Sequence, residues 1–432
     1  MMLKVRGVTC SVAALASLIS AGCGLDQPPC ADIRGQFPLA ESALALTKNA
    51  LLLRAGDGFV LAGFDGTAVR WGQLSGMGEL TAESTFVLPE QPATTTGGQP
   101  LGPVFAVTQK STPGDQLVAA VGVLQTGTTD RYEIHAYIHD LGSTEAPTMR
   151  TLGESFAAAP TSGTIRLAAS SSPAGTVALV VWGVEGQRAP ISFQVLGADG
   201  VPIGELQKLL NDDPNNVPLW SCVDATQNGS SLAITLVEAP NSAHPDQPAW
   251  IRYGVTDNGG IGETDEFELK ADVSDCRIVS APGLDSSYLV AWQNNSPRGG
   301  TYFAVMYPAP DAGADDAPQV TSSLVLSSEP FGGYSQMPRL AWIAPAKYEF
   351  TIGLVRTNGP EVVRFNAYAD PRGQALHLPS VSGHVGPVSA WVDPDAAWVT
   401  YLDMKGSSAP GDAAVSADST RLLVQVTPAS IL

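Results

Sequence analysis

Short runs of apolar residues recur along this chain at a nearly constant spacing. The most apolar run of each group begins at Phe59, Leu117, Val177, Leu232, Tyr288, Phe350 and Trp398, so successive groups start 48 to 62 residues apart. A shorter apolar run precedes each of these and a third run follows it, with turns rich in Gly, Pro, Asn and Asp between them. Run length, β-branched and aromatic content, and turn chemistry all indicate antiparallel β-strands.

Several groups also carry a fourth, weaker strand, such as the run around Phe86 or Phe267. Small four-stranded sheets repeated four to eight times are typical of a β-propeller, in which radial stacking buries both apolar faces of each sheet. We therefore predict an all-β fold, a single seven-bladed β-propeller over residues 41–432. Its four-stranded antiparallel blades start near residues 50, 104, 165, 222, 276, 339 and 388. Residues 37–47 are predicted to supply the outer strand of the last blade and to close the ring.

The chain resembles the broad class of seven-bladed propellers, with degenerate repeats whose Trp residues stand in VALVVWG, YLVAW, RLAWI and VSAWV. It matches no named repeat subfamily: there is no regular GH…WD pair, no sialidase-type Asp-box and no double-Gly kelch core. A fold by itself implies no function.

The first 22 residues form a targeting segment. Lys4 and Arg6 precede the apolar stretch VTCSVAALASLISA, and the small residues Ser20, Ala21 and Gly22 stand before Cys23. This arrangement resembles the lipobox of bacterial lipoproteins, with Ser20 in place of the usual Leu or Val. The resemblance implies a lipoprotein signal peptide over residues 1–22, a diacylglyceryl and palmitate anchor on Cys23, and a tether over residues 23–40. Gly24, rather than Asp, implies sorting to the outer membrane. Ordinary secretory cleavage after Ala21 is the alternative.

The composition of the chain restricts the classes of partner that it is expected to bind. The net charge is −19 and the hydrophobic fraction is 44%, so the chain has material for a large core and a surface that repels phosphate backbones. We expect no nucleic-acid partner. No later segment has 18 uninterrupted apolar residues, which leaves the N-terminal lipid as the expected membrane contact of a monomeric propeller.

The number of cysteines limits which disulfides the exported protein can form, because export implies an oxidising compartment. If Cys23 is acylated, Cys30, Cys222 and Cys276 remain, which permits one bridge. If the protein is secreted without acylation, four cysteines remain and two bridges are possible. CVDAT and CRIVS occupy the same position in consecutive repeats, so we predict a Cys222–Cys276 disulfide. Two free buried thiols, or a bridge from Cys30 to either partner, are the alternatives.

Three groups of polar residues are candidates for binding a metal ion, calcium or an anion. His135 and His139 have metal-ligand spacing for a helix, but on a strand they are about 13 Å apart, so we predict no metal. NDDPNN (211–216) and DAGADD (311–316) are oxygen-rich, but they lack calcium-loop spacing and have turn composition. Arg166, Arg277 and Arg339 are the second residues of three repeats' first strands (IRL, CRI and PRL), where they are placed either to hold an anion or to pair with the chain's own carboxylates.

The function that these features favour is a binding or scaffold lipoprotein of the cell envelope, without catalysis or cofactor. Long loops concentrate between second and third strands and between blades, which meet at one face of a propeller. The binding residues predicted on this loop-rich face are Trp220, Arg298, Phe331 and Tyr334. The partner is an envelope protein or a glycan. The alternative is a secreted propeller hydrolase or lyase that acts on glycans, which requires catalytic carboxylates that no motif identifies.

Overall fold

The described part of this computed structural model is all-β. It comprises residues 32–38, residues 50–156 apart from gaps at 57, 76–78, 95–97, 99, 110–113 and 126–130, residues 197, 200 and 201, and the later strands named below. No described helix is long and apolar enough to cross a membrane.

The described strands form antiparallel sheets in which neighbours along the chain pair with each other. The strands of the N-terminal half are β1 (Asp32–Pro38), β2 (Leu51–Ala55), β3 (Gly58–Phe64), β4 (Ala68–Leu74), β5 (Leu80–Val87), β6 (Val104–Gln109), β7 (Asp115–Gln125), β8 (Arg131–Asp140), β9 (Thr148–Phe156), β10 (Gly163–Ser170), β11 (Val177–Val184), β12 (Ile191–Leu196) and β13 (Pro202–Leu209). Those of the C-terminal half are β14 (Leu219–Asn228), β15 (Ser231–Ala239), β16 (Ala249–Asp257), β17 (Gly260–Ile261), β18 (Asp265–Leu269), β19 (Val273–Ser280), β20 (Tyr288–Asn294), β21 (Gly300–Tyr307), β22 (Gln319–Val320), β23 (Leu324–Ser327), β24 (Arg339–Ala344), β25 (Glu349–Arg356), β26 (Gly359–Asn366), β27 (Leu376–His377), β28 (Ser389–Asp393), β29 (Ala396–Asp403) and β30 (Thr420–Thr427).

Each sheet is a short meander. The sheet orders are β2-β3-β4-β5, β6-β7-β8-β9, β10-β11-β12-β13, β14-β15-β16 with both β17 and β18 on β16, β19-β20-β21 with both β22 and β23 on β21, β24-β25-β26-β27 and β1-β30-β29-β28. The last sheet takes its outer strand from the start of the described chain: Phe37 of β1 pairs with Leu423 of β30. Pairing between the two chain ends ties the last sheet to the first part of the fold.

The central strands of the first two sheets are buried on both faces, as their near-continuous apolar runs predict. In β7, Leu117, Ala119 and Val121 pack in a cluster with residues of the first sheet such as Val60 and Trp71. The alternate residues of β7 and β8 pack in a second cluster with Ile165 of β10 and Leu196 of β12. The sheets therefore stack face to face through their apolar sides, and the outer strand β5 is largely exposed.

The innermost strands follow one another around a ring. Contacts run from β2 to β6, β10, β14, β19, β24 and β28, and β28 contacts β2 again. Antiparallel four-stranded sheets stacked in this order make the described fold propeller-like.

The closing strand differs in position from the one expected. It covers Asp32–Pro38 rather than residues 37–47, so a strand lies within the segment 23–40 that the sequence assigned to a tether. Residues 39–49 lie outside the described part. The alternation of Ile33, Gly35 and Phe37 is too short and too polar to stand out as a strand, and only pairing with β30 shows it.

Candidate functional site

The segment between the first two sheets is described at residues 88–94, 98 and 100–103, which we call the connector, and it is held against β7. The amide of Ala93 donates to the Gly122 carbonyl (2.7 Å), and the amide of Gly122 donates to the Leu101 carbonyl (2.8 Å). Leu101 in turn donates to the Ala93 carbonyl (2.8 Å). These bonds extend the second sheet with non-strand residues, and they fix where the connector lies.

Two glycines permit this close approach. A Cβ on Gly122 would lie 2.8 Å from the Leu101 Cβ, and a Cβ on Gly102 would lie 2.7 Å from the Ala120 carbonyl oxygen. Gly102 also has a φ of +85°, which side chains rarely adopt. The connector can therefore pack on β7 only with glycine at these positions.

Beneath the connector lies a cluster of polar side chains, Glu90, Gln125, Glu133, His135 and Tyr137, here called the Glu90 cluster. His135 is 1% exposed; its Nδ1 lies 2.9 Å from Glu90 Oε2, and its Nε2 lies 3.1 Å from Glu133 Oε2. Gln125 Nε2 donates to Glu90 Oε1 (2.9 Å). Because Glu90 belongs to the connector and the other members to β7 and β8, the cluster joins the connector to the second sheet.

Within this cluster Tyr137 interacts with Glu90. Burial, the Glu90 charge and a hydrogen bond with Glu90 together raise the pKa of Tyr137 to about 12, so its phenol stays protonated. The imidazole of His135 fills the space between the two carboxylates, where a glycosidase needs room for substrate. We assign the Glu90 cluster a positioning role for the connector.

His135 and His139 lie on the same face of β8 as Tyr137, in the interface with the first sheet. The His139 ring lies 5.8 Å from Trp71 and 5.5 Å from Phe86, centroid to centroid. Burial lowers the pKa of His139, against a smaller opposite effect of Asp140, which favours the neutral ring. In the described residues no three His, Cys, Asp or Glu side chains come together as metal ligands.

Asp65 organises the turn between β3 and β4. Its Oδ1 accepts hydrogen bonds from the amides of Thr67 (2.9 Å) and Ala68 (2.8 Å) and from the Thr67 hydroxyl (2.9 Å). Its Oδ2 accepts from Arg70 Nε at 2.5 Å. Burial alone raises the pKa of Asp65, but these hydrogen bonds outweigh it and bring the pKa to about 2.

This turn and the connector leave the sheets at the same end, because strands alternate in direction. We call that end, with the second-to-third-strand turns and the segments between sheets, the connector face. The connector is the longest connection at this face that the structure describes. First-to-second-strand turns, at the opposite face, span only two to seven residues.

The four binding residues predicted from sequence are only partly located. Trp220 is the second residue of β14, opposite Glu238, and so belongs to a strand rather than to the preceding loop. Arg298, Phe331 and Tyr334 lie outside the described residues, as do Cys23, Cys30 and the loops 211–216 and 311–316. The assignment of these residues to ligand contacts remains a prediction.

The backbone places the other singled-out residues at equivalent positions. Arg166, Arg277 and Arg339 pair with Val181, Ala291 and Gly353, each directly before a large apolar residue of the second strand. Cys222 and Cys276 are both the fourth residue of their first strands, β14 and β19. The sequence did not identify Glu90, because no motif marks a single carboxylate in a connector. Glu133 and His135, two other members of the Glu90 cluster, were the residues that could have drawn attention to it.

Comparison with known proteins gives likeness in structure only. No family model matches the chain, and no curated protein matches it. The polysaccharide lyase Uly1 aligns over 92% of this chain and 100% of its own, with a TM-score of 0.53 and 11% identity. AofleA from Arthrobotrys oligospora, in a mutant form, aligns over 80% of this chain and 90% of its own (TM-score 0.41, 10% identity). A Trypanosoma rangeli sialidase aligns over 77% and 57% (TM-score 0.36, 9% identity). At these identities the likeness to Uly1 shows the fold alone: the chain is an all-β protein of the propeller-like kind.

Proposed function

We propose that this protein is a lipid-anchored, seven-bladed propeller of the cell envelope that binds its partner through the connector face without catalysis. The blade count is supported by the first strands, which contact one another in sequence from β2 to β28 and then return to β2. The binding role rests on one observation: a long surface segment, the connector, is fixed by hydrogen bonds and the Glu90 cluster on a rigid sheet. A preorganised loop binds without the entropic cost of ordering it.

The proposed partner is a protein or glycan of the envelope. Long segments of varied sequence on one face of a rigid scaffold are typical of a binding side. The net charge of −19 favours partners that are neutral or basic at their contact surface.

Site-specific photocross-linking tests which face binds. Thr67 and Gln91 are exposed at the connector face, whereas Thr144 and Glu145 are exposed in the β8–β9 turn at the opposite face. A photoreactive benzophenone residue is placed at each position in turn and irradiated in intact cells. We expect adducts from the first pair only. Adducts from the β8–β9 turn alone, or equally from both faces, would show that the connector face is not the binding side.

The proposed anchor is Cys23. Two or three acyl chains hold a protein stably on a bilayer, whereas one chain is marginal. The mass of the mature N-terminal peptide decides: we expect a Cys23 start that carries acyl chains. An unmodified start at Gly22 indicates secretion without an anchor.

A second candidate function is turnover of an acidic glycan. It is favoured by the equivalent placement of Arg166, Arg277 and Arg339 on the innermost strands, where guanidinium groups could neutralise a sugar carboxylate. The structural neighbour Uly1 is a polysaccharide lyase. Incubation with a panel of acidic polysaccharides, monitored for the ultraviolet absorbance of unsaturated products, tests this. Turnover that the Arg277→Ala variant loses would favour the enzyme over the binding protein.

A further inference from the structure

Two cysteines occupy equivalent places on the innermost strands of neighbouring sheets. Cys222 is the fourth residue of β14 and pairs with Val237, while Cys276 is the fourth residue of β19 and pairs with Trp292. Because β14 and β19 run in the same direction at the inner edge of their sheets, equal positions along them stand at similar height in the ring.

These two strands also lie side by side. Each innermost strand contacts the next, and the contact between β14 and β19 is the most extensive of these in the described strands. A disulfide requires Cα atoms about 4.4–6.8 Å apart. The pair of strands that carries the two cysteines is thus the pair best placed to meet that requirement.

Cys30, the competing partner, stands two residues before Asp32, the start of β1, in the sequence. Strand β1 is the outermost of its sheet, about 14 Å from β28 at three strand spacings. Among the innermost strands, the main contacts of β28 are with β24 and β2. The strand that follows Cys30 in the sequence thus belongs to a different sheet from the strands that carry Cys222 and Cys276.

We propose that Cys222 and Cys276 form a disulfide that joins two neighbouring sheets at the inner edge of the ring, and that Cys30 takes no part in it. The oxidant is the disulfide of an exported dithiol oxidoreductase. One cysteine thiolate attacks that disulfide and forms a mixed disulfide; the second thiolate then displaces the oxidant, which leaves as a dithiol. Two thiols of this chain are oxidised, one disulfide is reduced, and no other reactant is required.

Peptide mapping of the exported full-length protein tests the assignment without any substitution. Free thiols are alkylated before digestion, and linked peptides are identified by mass with and without reduction. We expect a linked Cys222–Cys276 peptide and an alkylated Cys30. Alkylation of both inner cysteines, or any linked peptide that contains Cys30, overturns the proposal.

Two variants and one measurement complete the test. Cys30→Ser should leave the linked peptide intact, whereas Cys222→Ser should leave Cys276 alkylated. Closing a loop of 55 residues from Cys222 to Cys276 should raise Tm by about 5 °C, so reduction of wild-type protein should lower Tm by that amount. The bridge requires export, which the mass of the mature N-terminus tests separately from the bridge itself.

Discussion

Replacing Glu90 with Ala should release the connector from the second sheet. Glu90 accepts a hydrogen bond from Gln125, and its carboxylate lies 2.9 Å from the buried ring of His135. Its charge and a hydrogen bond also help to raise the pKa of Tyr137. After the substitution His135 keeps Glu133 as its charged partner, and the Tyr137 hydroxyl loses its anionic acceptor. Both rings are 1% exposed, so water replaces the lost carboxylate poorly.

The expected cost follows from these contacts. A buried polar group that loses its partner destabilises a fold by about 1–3 kcal/mol. Two such groups are affected, but the Glu90 side chain is itself 35% exposed, and some water can enter where it was. We therefore expect a loss of about 2–3 kcal/mol, or roughly 3 °C in Tm for a chain of this length. Glu90→Gln, which keeps the size and an acceptor oxygen, should cost about 1 kcal/mol.

Hydrogen exchange locates the effect. The amides of Ala93, Leu101 and Gly122 close the connector on β7, so their exchange should accelerate in Glu90→Ala. Exchange of the Ser75 amide, which donates to the Glu79 carbonyl in the β4–β5 turn at the opposite face, should not change. Glu145→Ala, on the exposed β8–β9 turn, is the matched charge control and should stay within about 0.5 kcal/mol of wild type. If Glu90→Ala costs no more than this control, or if Leu101 exchange is unchanged, the cluster does not hold the connector.

Three further predictions concern titration and turn stability. Asp65→Ala should lower the free energy of unfolding by about 2 kcal/mol above pH 4, because four hydrogen bonds to the carboxylate are lost. The pKa of Asp65 in the folded protein is about 2, against an ordinary value of 3.8. In thermal melts, the difference in Tm between variant and wild type should therefore shrink as the pH falls from 3.8 to about 2. The lowered pKa of His139 means that its contribution is complete above about pH 6.5 and is lost as pH falls below it, so His139→Phe should flatten the decline of Tm between pH 7 and 5, and an unchanged decline would contradict the assignment. The contribution of Tyr137 should be complete below pH 10 and lost as pH rises through about 12, and ultraviolet titration of Tyr137→Phe should lack one late-titrating phenol.

The local character of the fold could be predicted because each unit repeats the same information. Apolar runs such as FVLAGF and LVAAVGVL have residues suited to both faces, and β3 and β7 are buried on both faces in the structure. The closing strand could not be predicted in its place, because DIRGQFP carries little pattern of its own and acquires strand structure through pairing with β30, almost 400 residues away in sequence.

The candidate site also combines features that the sequence predicts with features that only tertiary packing decides. The sequence identified His135 and His139 as a pair on one strand, and both lie in β8. Their roles depend on what packs against β8: Glu90 arrives from the connector, and Trp71 and Phe86 arrive from the first sheet. None of these three residues is close to the histidines in the sequence.

The sequence by itself determined the elements: strand lengths, turn positions, the repeat of small sheets, and a net charge of −19. These properties follow from side-chain periodicity and composition, which act over a few residues. Tertiary structure decided which residues meet across sheets, since the Glu90 cluster, the fit of the connector over Gly122 and the approach of β14 to β19 all join segments that are remote in sequence. Such contacts arise only when the sheets stack, because burial and hydrogen bonding select them over the whole fold at once.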